Sequence, residues 1–285
     1  MKSNYRYIVK AFMAMAVIAG TTSCDDFLDR EPMSSISPET YYSTAAQLEA
    51  NLNDEYPNVL PSFGQWTYGI FGEDKGTDNQ IEVNANDRYT QDRWKVPHSE
   101  SDNWKFERIY RINFFLSEAL PKFGEDMSGS QNTISGSVAT IKHYIGEMYF
   151  LRAYEYFKKL QLFGDFPIID QPLADEMEAL REASKRFPRN EVARFIISDL
   201  DKAYAYMSDV DMATTRINKD AAMLVKSRVA LFEATWLQNF KGTAFVPGGE
   251  GWPGASLHNN YQYPSGNLDN EVTVSYTHLR AHETK

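Results

Sequence analysis

Cys24 is the single cysteine of the 285 residues, and its position points to a specific chemistry. It follows a short basic segment, an apolar run over 11–20 and three small residues at 21–23. This is the layout of a secretory signal, and the apolar run is too short to span a bilayer as a helix. A cysteine at this point is typical of bacterial lipoproteins, in which the thiol carries a diacylglycerol and the acyl chains anchor the protein to a membrane. We therefore predict a signal peptide over 1–23 and lipidation of Cys24, the alternative being a cysteine lost with an ordinary signal peptide.

A second group of residues is suited to carbohydrate binding. Aromatic faces stack on the apolar C–H surface of a sugar, while amides and carboxylates bond to its hydroxyls. Residues 57–98 are rich in Gly, Asn, Asp and aromatics and show no sustained hydrophobic period, which indicates long surface loops, where binding residues often lie. The candidate ligand-binding residues in this segment are Trp66, Tyr68, Asp78, Asn79, Arg88 and Trp94. Ordinary packing of the same aromatic rings is the alternative, and Trp252, Tyr261 and Tyr263 are weaker candidates of the same kind.

Patterns for catalysis and metal binding are weak by comparison. Glycoside hydrolysis needs two carboxylates at a set separation, but Asp and Glu together number 39, so chance pairs such as Glu73 and Asp74 carry no information. The sequence contains no P-loop, Gly-x-Ser-x-Gly or dinucleotide fingerprint. His278 and His282 have the spacing of a helical zinc pair but lack the adjoining glutamate of a metalloprotease, and His143 is interpreted as a structural histidine. We predict a chain that is not an enzyme and has no catalytic residues, metal or cofactor.

Charge and composition exclude one class of partner and set the class of fold. Removal of residues 1–23 would take away three of the 29 basic residues and none of the 39 acidic ones. The remaining chain would have 26 basic and 39 acidic residues, a formal net charge of −13. Nucleic-acid binding requires a basic patch, so this balance argues against it. A hydrophobic share of 42% is enough for one sizeable globular core.

Amphipathic helices must position the candidate residues. Hydrophobic residues at helical spacing, bounded by caps, Gly and Pro, predict helices at about 38–53, 102–120, 137–163, 189–207 and 220–239. Short turns between them indicate stacked helical hairpins similar to tetratricopeptide units, although no strict repeat period is visible. The helical pattern ends near residue 243, and residues 274–285 do not follow from what precedes them, so we interpret them as a non-native tail.

Several segments together carry a resemblance to a known family. They are Cys24–Asp29 with Pro32, Phe71–Glu73 with Thr77–Asn79, Trp104–Asn113, Leu151–Phe157 leading to Phe163–Ile168, Pro188–Arg189 before Phe195–Leu200, and Thr215–Ala222 into Lys226–Leu231. In order and spacing over residues 24–240, this set resembles the SusD/RagB family of outer-membrane lipoproteins from Bacteroidetes-type bacteria.

The resemblance implies a fold, a location and a partner. The fold is mainly α, a tetratricopeptide-like helical bundle with long irregular loops. The implied function is that of a surface lipoprotein of the outer membrane, which binds glycans or other nutrients and delivers them to a SusC-type TonB-dependent transporter. A lipid-anchored helical-repeat scaffold without a small-molecule site and a surface glycosidase stay open as alternatives.

The resemblance also divides the chain. We expect a signal peptide over 1–23, a lipidated tether over 24–38, a SusD-like helical domain over 39–273 and a non-native tail over 274–285. Family members are longer, so the helical domain is expected to represent their N-terminal part.

Overall fold

The described part of the chain is mainly α-helical, as predicted. The computed structural model describes residues 41–61, 63–64, 67–68, 80, 103–124, 126–208, 212–213 and 215–280. Its helices are α1 (Ala45–Val59), α2 (Glu107–Phe123), α3 (Val138–Phe163), α4 (Met177–Ala183), α5 (Arg189–Tyr206), α6 (Lys219–Asn239) and α7 (Leu268–Arg280), with a short 3-10 helix at Pro253–Ser256. The two-residue strands β1 (Phe63–Gly64) and β2 (Thr67–Tyr68) pair antiparallel. Within these ranges no helix is both long enough and apolar enough to cross a membrane.

Helix α3 is the central element of the fold. The Ser137 side chain accepts a hydrogen bond from the Thr140 amide at its start, and Gly164, with φ of 68°, ends it. Between Ile141 and Leu160 the buried residues occupy every side of the helix. Accordingly α3 packs against α1, α2 and α5 at once. This confirms both the predicted range and the prediction that the helix is covered on more than one side.

The remaining helices extend this packing as stacked hairpins. Helix α5 packs between α3 and α6, and α7 packs against α6. Gly146 of α3 permits the close approach of α5, because a Cβ atom at this position would lie 2.8 Å from the Met207 amide nitrogen and 2.9 Å from the Ala203 carbonyl oxygen. The Asn218 side chain accepts a hydrogen bond from the Ala221 amide and so caps α6.

Two predicted helices have different boundaries in the structure. Helix α1 starts at Ala45 because Thr44 and Gln47 form a reciprocal capping box, and it continues to Val59 rather than ending near residue 53. Helix α2 starts at Glu107 rather than at residue 102, and it runs through Pro121, which was expected to stop it. A proline removes one hydrogen bond from a last turn, and here the burial of Phe123, at 0% exposure, offsets that loss.

Two helices were not predicted at all. Helix α4 has seven residues, too few for a helical period to be recognised in the sequence, and none of them is buried. Helix α7 buries Glu271 and Ser275, which are polar and therefore do not register in a hydrophobic pattern. It overlaps the range 274–285, and the interpretation of that range as a non-native tail stays a prediction.

Candidate functional site

The residues proposed from sequence for lipidation and ligand binding lie largely outside the described part of the chain. Tyr68 is described only by its backbone, which pairs with Phe63 in the small hairpin. The other residues lie outside the described ranges entirely, and they stay predictions; they are Cys24, Trp66, Asp78, Asn79, Arg88 and Trp94.

The described residues contain a different candidate site, which begins at the corner after α3. Phe166 is fully buried there, and its backbone forms an antiparallel bridge with Phe187. The ring of Phe166 contacts Trp104 with centroids 4.9 Å apart and Phe163 at 5.7 Å. These aromatic contacts hold the segment 164–169 in a fixed position beside the start of α5.

Asp165 connects this corner to two other elements. Its Oδ1 accepts a hydrogen bond from the backbone amide of Arg189, the first residue of α5, at 2.9 Å. Its Oδ2 accepts from Trp252 Nε1 at 2.8 Å. Burial raises the pKa of Asp165, although both hydrogen bonds oppose the shift. Asp165 is thus an anchoring residue with both oxygens occupied.

A buried ion pair lies beneath the same surface. Glu233 of α6 is 1% exposed, and it accepts hydrogen bonds from Arg189 Nε at 3.1 Å and from Arg189 Nη2 at 2.9 Å. Burial raises the pKa of Glu233, and the Arg189 charge counteracts this shift. The guanidinium also lies 4.1 Å from the centroid of the Trp236 ring, a cation–π distance. The pair therefore fixes both the α5–α6 contact and the orientation of Trp236.

These groups surround a cavity of about 440 Å³, which we call the aromatic cleft. Its lining includes Asp165, Arg186, Arg189, Trp236, Phe245 and Trp252, with Leu162 and Leu257 at the edge. Phe245 is 61% exposed, and its carbonyl oxygen accepts a hydrogen bond from Trp236 Nε1 at 3.0 Å. Exposed aromatic and aliphatic surface beside a few polar groups is a combination suited to a saccharide.

The three weaker aromatic candidates have mainly packing contacts. Trp252 is 5% exposed and contacts the rings of His258 and Tyr261. The Tyr261 hydroxyl bonds with Asn190 at the start of α5, and the Tyr263 hydroxyl donates to the Pro247 carbonyl oxygen at 2.7 Å. Of the three, only Trp252 lines the aromatic cleft.

His143 is a structural histidine, as predicted. The imidazole is 1% exposed; its Nε2 lies 3.0 Å from the Ile217 carbonyl oxygen, and its Nδ1 accepts from the Ser208 amide. Glu147 Oε1 also lies 3.0 Å from Nε2, so contacts on both ring nitrogens hold the imidazole in place.

The aromatic cleft differs from a glycosidase site in its described carboxylates. Among the described residues that line it, Asp165 is the one carboxylate, and glycoside hydrolysis uses a facing pair. In the described part of the chain, no group of three or more His, Cys, Asp or Glu side chains is arranged to hold a metal ion.

Sequence reasoning missed most of this cleft. In the sequence, Asp165 stands out only as part of the segment after α3, and Arg189 only as the start of a helix. Their partners, Trp252 and Glu233, are 87 and 44 residues away along the chain. One feature of the sequence does indicate the ion pair. Glu233 is a charged residue within an otherwise apolar stretch of α6, and a buried charge is expected to have a partner.

Comparison with known proteins identifies a family and several relatives that the chain resembles. A family model described as starch-binding and associating with the outer membrane matches residues 26–231. SusD-like protein P2 of Formosa agariphila is 25% identical over 253 residues, which are 85% of this chain and 46% of that protein. SusD-like protein P25 of the same organism is 25% identical over 233 residues, which are 75% of this chain and 41% of that protein. The chain thus spans less than half the length of either relative.

A solved structure has the same fold. A SusD-like protein from Bacteroides fragilis superposes with a TM-score of 0.52 at 22% sequence identity, over 74% of this chain and 39% of that one. Helices α1 to α5 lie wholly within the range that the family model matches, whereas Trp236, Phe245 and Trp252 of the aromatic cleft lie beyond it.

Proposed function

The chain belongs to the SusD-like family, and we propose from this premise that it binds a glycan at the outer membrane and delivers it to a SusC-type TonB-dependent transporter. The observation that carries the proposal is the match over residues 26–231 to a family described by starch binding and outer-membrane association. That description names binding rather than catalysis, so the family supports a non-catalytic chain. It favours glycan capture over both a scaffold without a ligand site and a glycosidase.

Within the described residues, the aromatic cleft is the part that suits a sugar. Phe245 offers an exposed ring, and Arg186 supplies donors for hydroxyl groups, while the buried Arg189 holds Trp236 in position. The loop residues Trp66, Tyr68, Asp78, Asn79, Arg88 and Trp94 are proposed as further ligand contacts.

Lipidation of Cys24 would attach this binding domain to the membrane. A thiol-linked diacylglycerol anchors a protein stably because each buried methylene contributes about 0.8 kcal/mol. The tether over residues 24–38 would then keep the helical domain close to a membrane transporter and raise its effective concentration there. This supports surface capture followed by transfer rather than diffusion of a free binder.

A direct test of sugar binding uses one exposed aromatic residue. Complete burial of a Phe side chain is worth about 1.5–3 kcal/mol, so Phe245→Ala should weaken binding to any retained polysaccharide at least about tenfold. Affinity electrophoresis in gels with and without starch, laminarin or other polysaccharides measures the change. Tyr110→Ala is the matched control, because Tyr110 is 52% exposed and lies outside the cleft. Equal retention of Phe245→Ala and the unaltered chain would rule out the cleft as the sugar site.

The transporter is tested separately. The gene is expressed with its signal in a Bacteroides-like host, and the protein is isolated from outer membranes in mild detergent. We expect a large TonB-dependent barrel as the dominant co-purified protein by mass spectrometry. Recovery of the chain from the soluble fraction, or without a barrel, would argue against the transfer function.

A further inference from the structure

A second cavity adjoins the aromatic cleft, and positive charge dominates its lining. It has a volume of about 440 Å³ and is lined by Asn103, Lys105, Glu107, Arg108, Glu155, Lys158, Lys159 and Leu162. We call it the basic pocket. Four cationic side chains thus stand against two carboxylates, in a chain whose formal net charge is −10. The summed charge of these described lining residues is therefore opposite in sign to that of the whole chain.

One carboxylate serves three of these cations. Glu155 Oε1 lies 3.2 Å from Lys159 Nζ, while its Oε2 lies 3.6 Å from Lys158 Nζ and 4.0 Å from Arg108 Nη1. Burial lowers the pKa of Lys158 despite the nearby Glu155, and the charges of Arg108 and Lys159 lower it further. One buried carboxylate therefore faces three cations, two of them on α3 and one on α2.

The same pocket contains an acceptor without a donor. Glu155 is 4% exposed, and its Oε2 has no hydrogen-bond partner among the described residues. A buried polar atom without a hydrogen bond costs free energy, so this oxygen favours a ligand that brings a donor such as a hydroxyl. The pocket is therefore complementary to a ligand with an anionic group and a hydroxyl close together. An acidic sugar has this arrangement.

We propose that the basic pocket binds the carboxylate or sulfate of an acidic sugar unit, and that the glycan continues from there into the aromatic cleft. Leu162 is 57% exposed and lines both cavities, so they meet at this side chain. The inference rests on the proposed function and names its substrate class: anionic rather than neutral glycans.

The test compares acidic and neutral polysaccharides on the full chain in mild detergent. Affinity electrophoresis is run in gels containing polygalacturonate, alginate, chondroitin sulfate or dextran sulfate, and in gels containing starch, laminarin, dextran or fully methyl-esterified pectin. The variant Arg108→Gln/Lys158→Gln removes two cations of the pocket. Arg181→Gln/Lys241→Gln is the control; it changes the net charge equally at side chains that are 69% and 57% exposed and do not line the pocket.

We expect at least one acidic polysaccharide to retard the unaltered chain, with the sulfated and carboxylated gels distinguishing the two anionic groups. The pocket variant should weaken that binding at least about tenfold, and the control variant less than about twofold. Higher salt should weaken it as well, because exposed charge pairs are screened. Glu107→Gln removes a carboxylate from an exposed position of the pocket and should strengthen acidic binding about two- to threefold, which tests the pocket even where the double variant folds poorly.

Three results of the gel experiment would contradict the inference, and they distinguish it from the proposed function. Retardation by neutral polysaccharides alone would overturn the acidic-sugar inference and leave the proposed function intact. Acidic retardation that the pocket and control variants weaken equally would assign it to overall charge and overturn the basic pocket as the site. Retardation by none of the gels would overturn both.

Discussion

Replacement of Arg152 tests how the helical stack is held together. This side chain of α3 is 3% exposed and contacts three other parts of the chain. Its Nε and Nη2 donate to the two carboxylate oxygens of Asp199 on α5, at 2.6 and 2.8 Å. Its Nη1 donates to Asn113 Oδ1 on α2 at 2.9 Å and to the Asp170 carbonyl oxygen at 3.0 Å. One guanidinium therefore satisfies acceptors on two helices and a loop.

The contacts of Arg152 determine how much its replacement should lower the free energy of unfolding. Arg152→Met keeps an apolar stem and removes the charge, which leaves the fully buried carboxylate of Asp199 without its main partner. Removal of one member of a buried ion pair costs about 3–5 kcal/mol. Lys202 remains, with Nζ 3.8 Å from Asp199 Oδ1, but its side chain is 45% exposed. We expect the free energy of unfolding to fall by about 3 kcal/mol, the lower end of that range, out of a typical total of about 5–15 kcal/mol.

Urea unfolding followed by circular dichroism measures this loss. The companion variant Arg152→Met/Asp199→Leu removes both charges and should recover at least half of it, because an apolar pair of similar volume carries no uncompensated charge. Recovery is incomplete since Asn113 still loses a donor. Arg181→Met, at a side chain that is 69% exposed, is the control and should change the free energy of unfolding by less than about 0.5 kcal/mol. A loss below about 1 kcal/mol for Arg152→Met, with additive effects in the double variant, would refute the reasoning.

Three further changes probe other contacts. Gly146→Ala should lower the free energy of unfolding by about 1–2 kcal/mol in the same assay. The added methyl group would be overpacked against the Met207 backbone, which outweighs the gain of about 1 kcal/mol in helix propensity. A stabilised variant would contradict this. Asn218→Ala removes the α6 cap and should cost about 1 kcal/mol, whereas an unchanged value would mean that the cap is dispensable. Burial raises the pKa of Glu271, but hydrogen bonds, foremost from Arg194, outweigh it and hold the pKa below the ordinary 4.5. The carboxylate thus contributes stability above about pH 4.5, and this contribution is lost as the pH falls through the lower pKa of the folded state. Glu271→Gln should therefore reduce the loss of stability at acid pH in a plot of unfolding free energy against pH. An unchanged loss at acid pH would argue against the contact.

The local elements of this fold were readable in the sequence because their causes are local. Helix α3 was predicted over its full length since Ser137 caps it, Gly164 ends it and apolar residues recur along it at helical spacing. The starts of α5 and α6 followed from equally local patterns. Motif order over residues 24–240 likewise identified the family, with its helical fold and its implied binding role.

Tertiary structure decided the helix ends and both cavities. The helix α2 continues through Pro121 because Phe123 is buried against other elements, a fact that no local pattern contains. The aromatic cleft depends on the pairing of Arg189 with Glu233, and the basic pocket depends on Arg108 of α2 lying beside Glu155 of α3.

Sequence alone therefore determined the five long amphipathic helices and the family to which the chain belongs, since caps and periodicity act within a few residues. Which charged and aromatic side chains meet depends on how the helices pack, because pairs such as Arg108 and Glu155 come from separate helices. Their distance and burial exist only after folding has removed water from between them, and that is why the candidate sites emerged from the structure and not from the sequence.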